Sequence, residues 1–320
     1  MEGKKILDDV VILAGSGLNS TKIAKGIAKR LAIRYSNLEA STFPDSEIYV
    51  RIPVKDVTGK HIIYVQSTAA SHAFPQSQSL MELFLTLDTF KEKKAKMVDI
   101  IVPYLAHARQ DQEFNTGEII STRTIAKMLK GLGINRLFTV DVHAHRETGA
   151  YQFGRWKNFL GVEAYNITAA RALARYIKND LGIQSPIVII PDEGHRPIAE
   201  KIKDILTPET VIFLYKKRIS AKLVRFKRVE TLNLKGKDVV IFDDMISTGT
   251  TVINASKFAM EKGARNVVVA VTHALYINDA RKRLLKTGVS EIVATDTIPS
   301  KDSRVPIAPI IAGSLKEILD

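Results

Sequence analysis

The residues best suited to chemistry stand in one run, Asp243-Asp244-Met245-Ile246-Ser247-Thr248-Gly249-Thr250-Thr251. It follows the apolar segment Val239-Val240-Ile241-Phe242 and opens a segment with helical spacing. Where a strand turns into a helix, successive backbone N–H groups form a cradle for an anion. Gly249 permits close backbone approach, and one serine with three threonines adds hydroxyl donors around a phosphate. Asp243 and Asp244 accept hydrogen bonds, which suits the 2- and 3-hydroxyls of a ribose whose 5-phosphate sits in the cradle. A plain helix cap would need only one Ser or Thr. Four of them and a glycine behind two acids point to a ribose phosphate instead. The chain has no G-x-x-x-x-G-K-[ST] run, and Gly15-Ser16-Gly17 lacks the third glycine of a dinucleotide fingerprint, so it reads as a tight turn.

A second constellation is cationic. Lys216, Lys217, Arg218, Lys222, Arg225, Lys227 and Arg228 fall in a stretch without an acidic residue, just after an expected strand end. A charge run is often a solvated hairpin; at a strand end it can also neutralise a transferring phosphoryl group. The chain carries 47 Lys plus Arg against 34 Asp plus Glu, a formal charge of +13 that favours polyanions of any kind. Concentrated in one stretch, the excess points to one anion site more than to a nucleic-acid surface. There is no cysteine, which removes disulfides, zinc thiolates and cysteine nucleophiles and leaves oxygen and imidazole to hold any metal. The 45% hydrophobic and 25% charged composition is that of a globular chain. No apolar run approaches the length of a bilayer span, and Asp8 and Asp9 break up the start, which reads as a first strand and not a secretory leader. A cytoplasmic protein without membrane or nucleic-acid partners is expected.

The 320 residues suit two domains of about 150 each. Short β-branched runs alternate with helix-period segments, the rhythm of βα units and parallel sheets covered by helices. Strands are expected at 10–13, 38–43, 61–65, 97–103, 136–140, 187–191, 211–216, 238–242, 266–271 and 291–294. Helices are expected at 21–32, 80–91, 122–130, 169–179, 197–205, 251–262, 279–285 and 312–318. Leu137-Phe138-Thr139-Val140-Asp141-Val142 and Val239-Val240-Ile241-Phe242-Asp243-Asp244 read as one kind of strand in two copies, implying an internal duplication. The boundary falls in the aperiodic stretch from Gly149 to Ile167, around Trp156, which divides the chain into 1–155 and 156–320. Ligands of open α/β sheets sit beyond the carboxyl ends of strands, where these candidates lie.

The Asp243–Thr251 run resembles the phosphoribosyl-diphosphate motif shared by type I phosphoribosyltransferases and ribose-phosphate pyrophosphokinases. Phe43-Pro44-Asp45-Ser46-Glu47-Ile48, Leu80-Met81-Glu82-Leu83, Pro103 to Asp111, Asp141-Val142-His143-Ala144 and Thr295-Asp296-Thr297-Ile298-Pro299 resemble the pyrophosphokinase pattern, in its order, over nearly the whole chain. The resemblance implies two similar type I phosphoribosyltransferase-like domains, the first facing ATP and the second ribose 5-phosphate, and transfer of diphosphate between them with Mg2+. It makes Lys216 and Arg218 catalytic cations at the start of a mobile loop, and His143 and Asp192 magnesium ligands. Arg109, Gln110 and Asp111 become ATP-binding positions, and Phe43, Asp45 and Glu47 grip the nucleotide of a neighbouring subunit, which implies a dimer or higher homo-oligomer. Asp243, Asp244, Ser247, Thr248, Gly249, Thr250 and Thr251 bind ribose 5-phosphate.

The sequence departs from the pattern in places. Ser247 stands where many members carry Asp, and in Pro191-Asp192-Glu193-Gly194-His195-Arg196 two large polar residues replace small ones, before Pro197 at an expected helix start. His195 is expected to cap or pack beside that helix, the alternative being a contact to the anomeric end of the sugar or to the diphosphate. The rival functions are a phosphoribosyltransferase, against which the 43–47 and 109–111 segments count, and a non-catalytic regulatory relative, against which His143, Asp192, Lys216 and Arg218 count. A nucleic-acid binder is disfavoured by the absence of any aromatic-interleaved basic patch.

Overall fold

A computed structural model describes residues 9–52, 57–70, 75–113, 115–143, 154–159, 161–218, 224–227 and 232–319. The chain divides into two compact units, Met1–Thr168 with Ile307–Asp320, and Ala169–Pro306.

The first unit is built on strands β1 (Val10–Ala14), β2 (Arg34–Asn37), the hairpin β3 (Glu39–Thr42) and β4 (Ile48–Arg51), then β5 (His61–Val65), β6 (Met97–Val102), β7 (Arg136–Val140), β8 (Gly154–Phe159) and β9 (Val162–Ile167). Its seven-stranded sheet runs β2-β1-β5-β6-β7-β9-β8. Every neighbouring pair is parallel except β8 with β9. Helices α1 (Ser20–Leu31), α2 (Gln76–Glu92) and α3 (Ser121–Gly131) are its crossovers. Because helices cover the faces of such a sheet, central strands are apolar throughout and do not alternate. All of β1 is buried, as are Ile62 to Val65 of β5 and Val98 to Val102 of β6. Helix α1 turns Ile23, Ala24, Ile27 and Ala28 inward at three- and four-residue spacing. Tyr64 and Phe90 meet edge to face at 5.7 Å in the core.

The second unit opens on helix α4 (Ala170–Asn179) and continues through β10 (Ile187–Ile190), α5 (Arg196–Leu206), β11 (Thr210–Phe213), the hairpin β12 (Tyr215–Arg218) and β13 (Val224–Lys227), β14 (Asp238–Ile246), α6 (Thr250–Glu261), β15 (Asn266–Ala274), α7 (Ala280–Leu285), β16 (Glu291–Thr295) and β17 (Ser303–Val305). Its six-stranded sheet runs β11-β10-β14-β15-β16-β17, parallel throughout. Ile187, Ile189, Val239, Ile241, Val267, Val269 and Val271 form its central apolar layer. The chain then ends in α8 (Ala308–Leu319), which belongs to the first unit, where Gly26 of α1 lies so near Ala308 that a Cβ on it would come within 2.7 Å.

Two α/β units with mainly parallel sheets are thus present, and their strand orders superimpose element by element. β1, β2, β5, β6, β7 and β9 of the first sheet correspond to β10, β11, β14, β15, β16 and β17 of the second. Each unit also inserts an antiparallel hairpin at the same point, β3 with β4 and β12 with β13. This order corrects one reading of the duplication. The Leu137–Val142 segment contains β7, whose counterpart is β16; the counterpart of β14 is β5. The expected division at 155/156 also differs from the compact units. Strands β8 and β9 pair into the first sheet, and the closing helix returns to it. Residues 149–153 and 160 of the expected boundary and the side chain of Trp156 lie outside the described residues.

Candidate active site

In the second sheet the chain passes from β10 outward to β11, then returns to build β14, β15 and β16 on the other side. The strand order therefore reverses between β10 and β14, and a crevice forms beyond the carboxyl ends of those two strands. Asp192 and His195 follow β10 there, and Asp243 and Asp244 lie near the end of β14.

Strand β14 is longer than expected. Parallel pairing with β15 continues through Met245 with His273 and Ile246 with Ala274, so the two aspartates are strand residues and the loop shrinks to Ser247, Thr248 and Gly249. Both carboxylate residues are buried, Asp243 at 6% and Asp244 at 3% exposure, and Asp243 Oδ1 accepts the Asp244 N–H at 3.0 Å. Two adjacent buried negative charges require a cation nearby. His195 lies beside both: Nδ1 is 3.0 Å from Asp243 Oδ1 and Nε2 3.6 Å from Asp244 Oδ2, with the ring 2% exposed. Burial, the largest influence on this imidazole, lowers its pKa. The charge of Asp244, the Asp243 carboxylate and the charge of Asp192 together outweigh it and raise the value from 6.5 to about 9. The cap-or-pack expectation for His195 held only in part. It does precede α5, but its ring belongs to the carboxylate cluster.

The loop after β14 is shaped by Gly249, which precedes α6 at φ 76°. A Cβ there would come within 3.2 Å of Ala280 and 3.3 Å of Ile253. The first-turn N–H groups of α6 have no partner within the helix and face the loop opening. Thr248 and Thr250 are exposed, with their hydroxyls 3.3 Å apart, while Ser247 and Thr251 are half-buried. From below, the segment after β15 holds the loop: Leu275 and Tyr276 N–H both donate to Ile246 O, and Ile277 N–H donates to Ser247 O, each at 3.0 Å.

The equivalent crevice of the first unit, between β1 and β5, is filled by the protein itself. Glu82, fully buried, accepts from Ser16 N–H at 2.8 Å and from the Ser16 hydroxyl. Gln66 Oε1 accepts from Gly17 N–H at 3.0 Å. A Cβ on Gly15 would lie 2.2 Å from Gln66 Oε1, so the Gly15-Ser16-Gly17 turn serves close packing, as its reading as a tight turn implied. Duplicated folds here carry unequal sites.

The remaining candidates are placed as follows. Arg109, exposed, Gln110, half-buried, and Asp111, buried, follow β6, and Gln110 Oε1 accepts the Ser121 hydroxyl at 2.7 Å, tying that loop to the start of α3. Phe43, Asp45 and Glu47 form the exposed tip of the β3–β4 hairpin, closed by Phe43 N–H donating to Glu47 O at 2.8 Å. Phe43 is 50% exposed and packs edge to face on Tyr49 at 5.9 Å. His143 follows β7 in the first unit, and Asp192 belongs to the second, its Oδ1 accepting Gly194 N–H at 3.0 Å. Lys216 and Arg218 lie on β12, while their side chains, and Lys222 and Arg228, lie outside the described residues. For a metal, the carboxylates of Asp192, Asp243 and Asp244, each of which acts on His195, offer hard oxygen donors of the kind Mg2+ takes. By donor chemistry these residues fit a divalent cation.

Fold and site together define an α/β class: a doubly wound sheet with paired buried carboxylates and a glycine-bearing loop at its switch point. Comparison with known proteins narrows the class. Residues 10–133 match the model of the N-terminal domain of ribose phosphate pyrophosphokinase, and residues 227–312 match the phosphoribosyl synthetase-associated domain. Ribose-phosphate pyrophosphokinase of Saccharolobus solfataricus is 36% identical over 92% of this chain and 96% of its own length. That of Pyrococcus abyssi is 36% identical over 94% and 97%. The crystal structure of phosphoribosylpyrophosphate synthetase from Mycobacterium smegmatis superimposes with a TM-score of 0.81 at 30% identity, covering 97% of this chain and 99% of that one. The chain belongs to the ribose-phosphate pyrophosphokinase family and is an enzyme of that class. Among the described residues no helix is long and apolar enough to cross a membrane.

Proposed function

We propose that the chain moves diphosphate from ATP to the 1-hydroxyl of ribose 5-phosphate, giving phosphoribosyl diphosphate and AMP, at the β10–β14 switch point. The observation that carries the assignment of the sugar is the pair of buried carboxylates, Asp243 and Asp244, leading directly into the Gly249 loop. The 5-phosphate binds on the N–H groups of Ser247 to Thr251 with their hydroxyls, and the carboxylates accept from the 2- and 3-hydroxyls. So held, the 1-hydroxyl attacks the β-phosphorus. The new bond forms at that phosphorus, the bond to the α,β-bridging oxygen breaks, AMP leaves, and the hydroxyl proton passes to solvent. The reaction depends on positioning and on offsetting charge.

Lys216 and Arg218, on β12, would face the transferred group and stabilise its developing charge. Arg109, Gln110 and Asp111 would hold the ATP phosphates and ribose, the planar fork of Arg109 suiting phosphate. The exposed aromatic tip at Phe43, with Asp45 and Glu47, would complete the nucleotide site of a second copy, making the enzyme a homo-oligomer. Asp192 and His143 would hold Mg2+, which supplies charge neutralisation on the diphosphate when bound. With no membrane or nucleic-acid partner in this scheme, the reaction belongs in the cytoplasm.

Calorimetry tests the division of labour. Asp243→Asn combined with Asp244→Asn is expected to weaken ribose 5-phosphate binding by about 100-fold and leave ATP binding within a factor of two, since two charge-assisted contacts to the sugar are lost. Equal loss of both affinities in a folded variant would refute the assignment.

A further inference from the structure

The loop after β14 rests on the segment that follows β15, and that segment holds a conformation its residues do not all favour. Tyr276, Asn278 and Asp279 lie in the left-handed region, at φ 54°, 53° and 55°. Asn and Asp visit that region readily, but a bulky aromatic residue does not. A tyrosine kept there is held by its surroundings, and its side chain shows what holds it. We propose that Tyr276 is a positioning residue for the sugar phosphate: its hydroxyl, through Asp302, fixes the segment on which the Ser247–Gly249 turn is seated. The proposal rests on the reading of Ser247 to Thr251 as the cradle of the 5-phosphate.

Three layers of contact connect the hydroxyl to the cradle. The first is backbone to backbone. Leu275 and Tyr276 N–H converge on Ile246 O, and Ile277 N–H donates to Ser247 O. Ile246 is the last residue of β14 and Ser247 the first of the loop, so the direction in which the loop leaves the strand follows the placement of residues 275–277. The second layer is packing. Ala280, fully buried at the start of α7, faces Gly249, where an added Cβ would come within 3.2 Å of its methyl. The third is the anchor. Asp302, 4% exposed, accepts the Tyr276 hydroxyl on Oδ2 and takes Arg281 in a two-pronged pair, Nε to Oδ2 at 2.7 Å and Nη2 to Oδ1 at 2.8 Å. Paired N–H groups fix a carboxylate in direction as well as in distance. Asp302 is in turn tied to the sheet: its carbonyl accepts Ala294 N–H of β16 at 2.8 Å, and its own N–H donates to Ser300 Oγ at 3.2 Å.

One carboxylate thus pins the supporting segment at both ends, Tyr276 beneath the loop and Arg281 next to the alanine that meets Gly249. The donors of the cradle are mainly backbone N–H groups, which no rotamer change can re-aim, so a shift of the support shifts them together. The loss then falls on the sugar phosphate and not on the nucleotide.

The experiment compares the parent with Tyr276→Phe, Asp302→Ala, the double variant and Arg265→Ala, a control that breaks the pair with Asp238 at the far end of β14. Calorimetric titration with ribose 5-phosphate is joined to KM values for both substrates and to thermal melting. Tyr276→Phe keeps the ring and removes one hydroxyl. It is expected to raise the dissociation constant and KM for ribose 5-phosphate by about five- to tenfold, within the range of one hydrogen bond, with the KM for ATP within a factor of two. Asp302→Ala should cost more, and the double variant no more than Asp302→Ala, since the hydroxyl has already lost its acceptor. Arg265→Ala should leave all three values parental. A folded Tyr276→Phe with a lower Tm but parental sugar affinity makes the bond structural only and overturns the proposal. Additive losses in the double variant, equal rises in both KM values, or a matching loss in Arg265→Ala do the same. Tyr276→Phe decides the question by itself if Asp302→Ala fails to fold. A parent that binds no ribose 5-phosphate overturns the reading of the loop and the proposal with it.

Discussion

Replacing Gly249 by alanine probes the proposed phosphate loop through its backbone. The residue sits at φ 76° and ψ 0°, in the left-handed region. An L side chain there costs about 1–2 kcal/mol. The new methyl would also stand 3.2 Å from the Cβ of Ala280, 3.3 Å from Ile253 Cδ1 and 3.6 Å from Ile246 Cγ2. Ile253 Cδ1 can swing aside, but Ala280 has no softer atom to yield, so crowding adds about 1 kcal/mol, the low end for overpacking. The sum, about 2–3 kcal/mol, lowers Tm by roughly 4–10 °C for a domain of this size. Because the strain lies where the backbone donors converge, ribose 5-phosphate affinity should fall by about tenfold as well. Gly182→Ala is the control: it has φ 69° and nothing within 4 Å of the added carbon, so it should pay the backbone cost alone and leave sugar binding untouched. Melting curves and calorimetry on the two variants decide the matter. A Gly249→Ala protein with parental Tm and parental affinity would refute the proposed tight fit of this loop.

Three further outcomes are expected. Lys216→Ala should lower kcat by about 100-fold or more with little change in either KM, as removal of a charge-stabilising donor does; near-normal kcat would return the β12–β13 hairpin to a solvated role. In chelator-containing buffer, His195 should make stability depend on pH. Its folded pKa of about 9 lies above the unfolded 6.5, so its contribution is complete below about pH 6.5 and is lost as pH rises through 9. That contribution is about 3 kcal/mol, and His195→Gln should flatten the slope of denaturation free energy between pH 6.5 and 9; an unchanged slope would contradict the ion pairs. Asp99, fully buried between His61 Nε2 at 2.7 Å and Arg136 Nε at 2.9 Å, lies at the opposite end of the strands from the ligand crevices. Asp99→Asn should destabilise the protein by about 3 kcal/mol without altering either KM, and a selective KM change would show an unrecognised link to the site.

How far the sequence foretold this structure depends on where each element takes its stabilisation. β5 and β7 fall at the residues expected, because both are apolar runs buried on both faces. β2 was missed because Arg34-Tyr35-Ser36-Asn37 forms the sheet edge, with no residue fully buried. β9 was missed because Asn166 breaks its alternation; that side chain is buried, accepting Val142 N–H at 3.1 Å. Helix α8 begins at Ala308, not 312, since Pro309 in its first turn, where a missing N–H costs nothing, reads as a breaker on sequence alone. The run after β14 could be read as a candidate phosphate loop, but its length could not. Two aspartates look like the end of a strand until their partner, His195, is found 48 positions earlier in the chain. No local pattern carries that pairing, although the departure from the family's small residue at 195 marked the place to look.

This chain is expected to couple ATP cleavage to ribose 5-phosphate. The most direct measurement follows AMP release from ATP by the purified protein in Mg2+, with and without ribose 5-phosphate, and identifies the sugar product by mass. The account predicts AMP only when the sugar is present, one phosphoribosyl diphosphate for each AMP, and at most slow hydrolysis without it. AMP release indifferent to ribose 5-phosphate, or ADP in place of AMP, would contradict it.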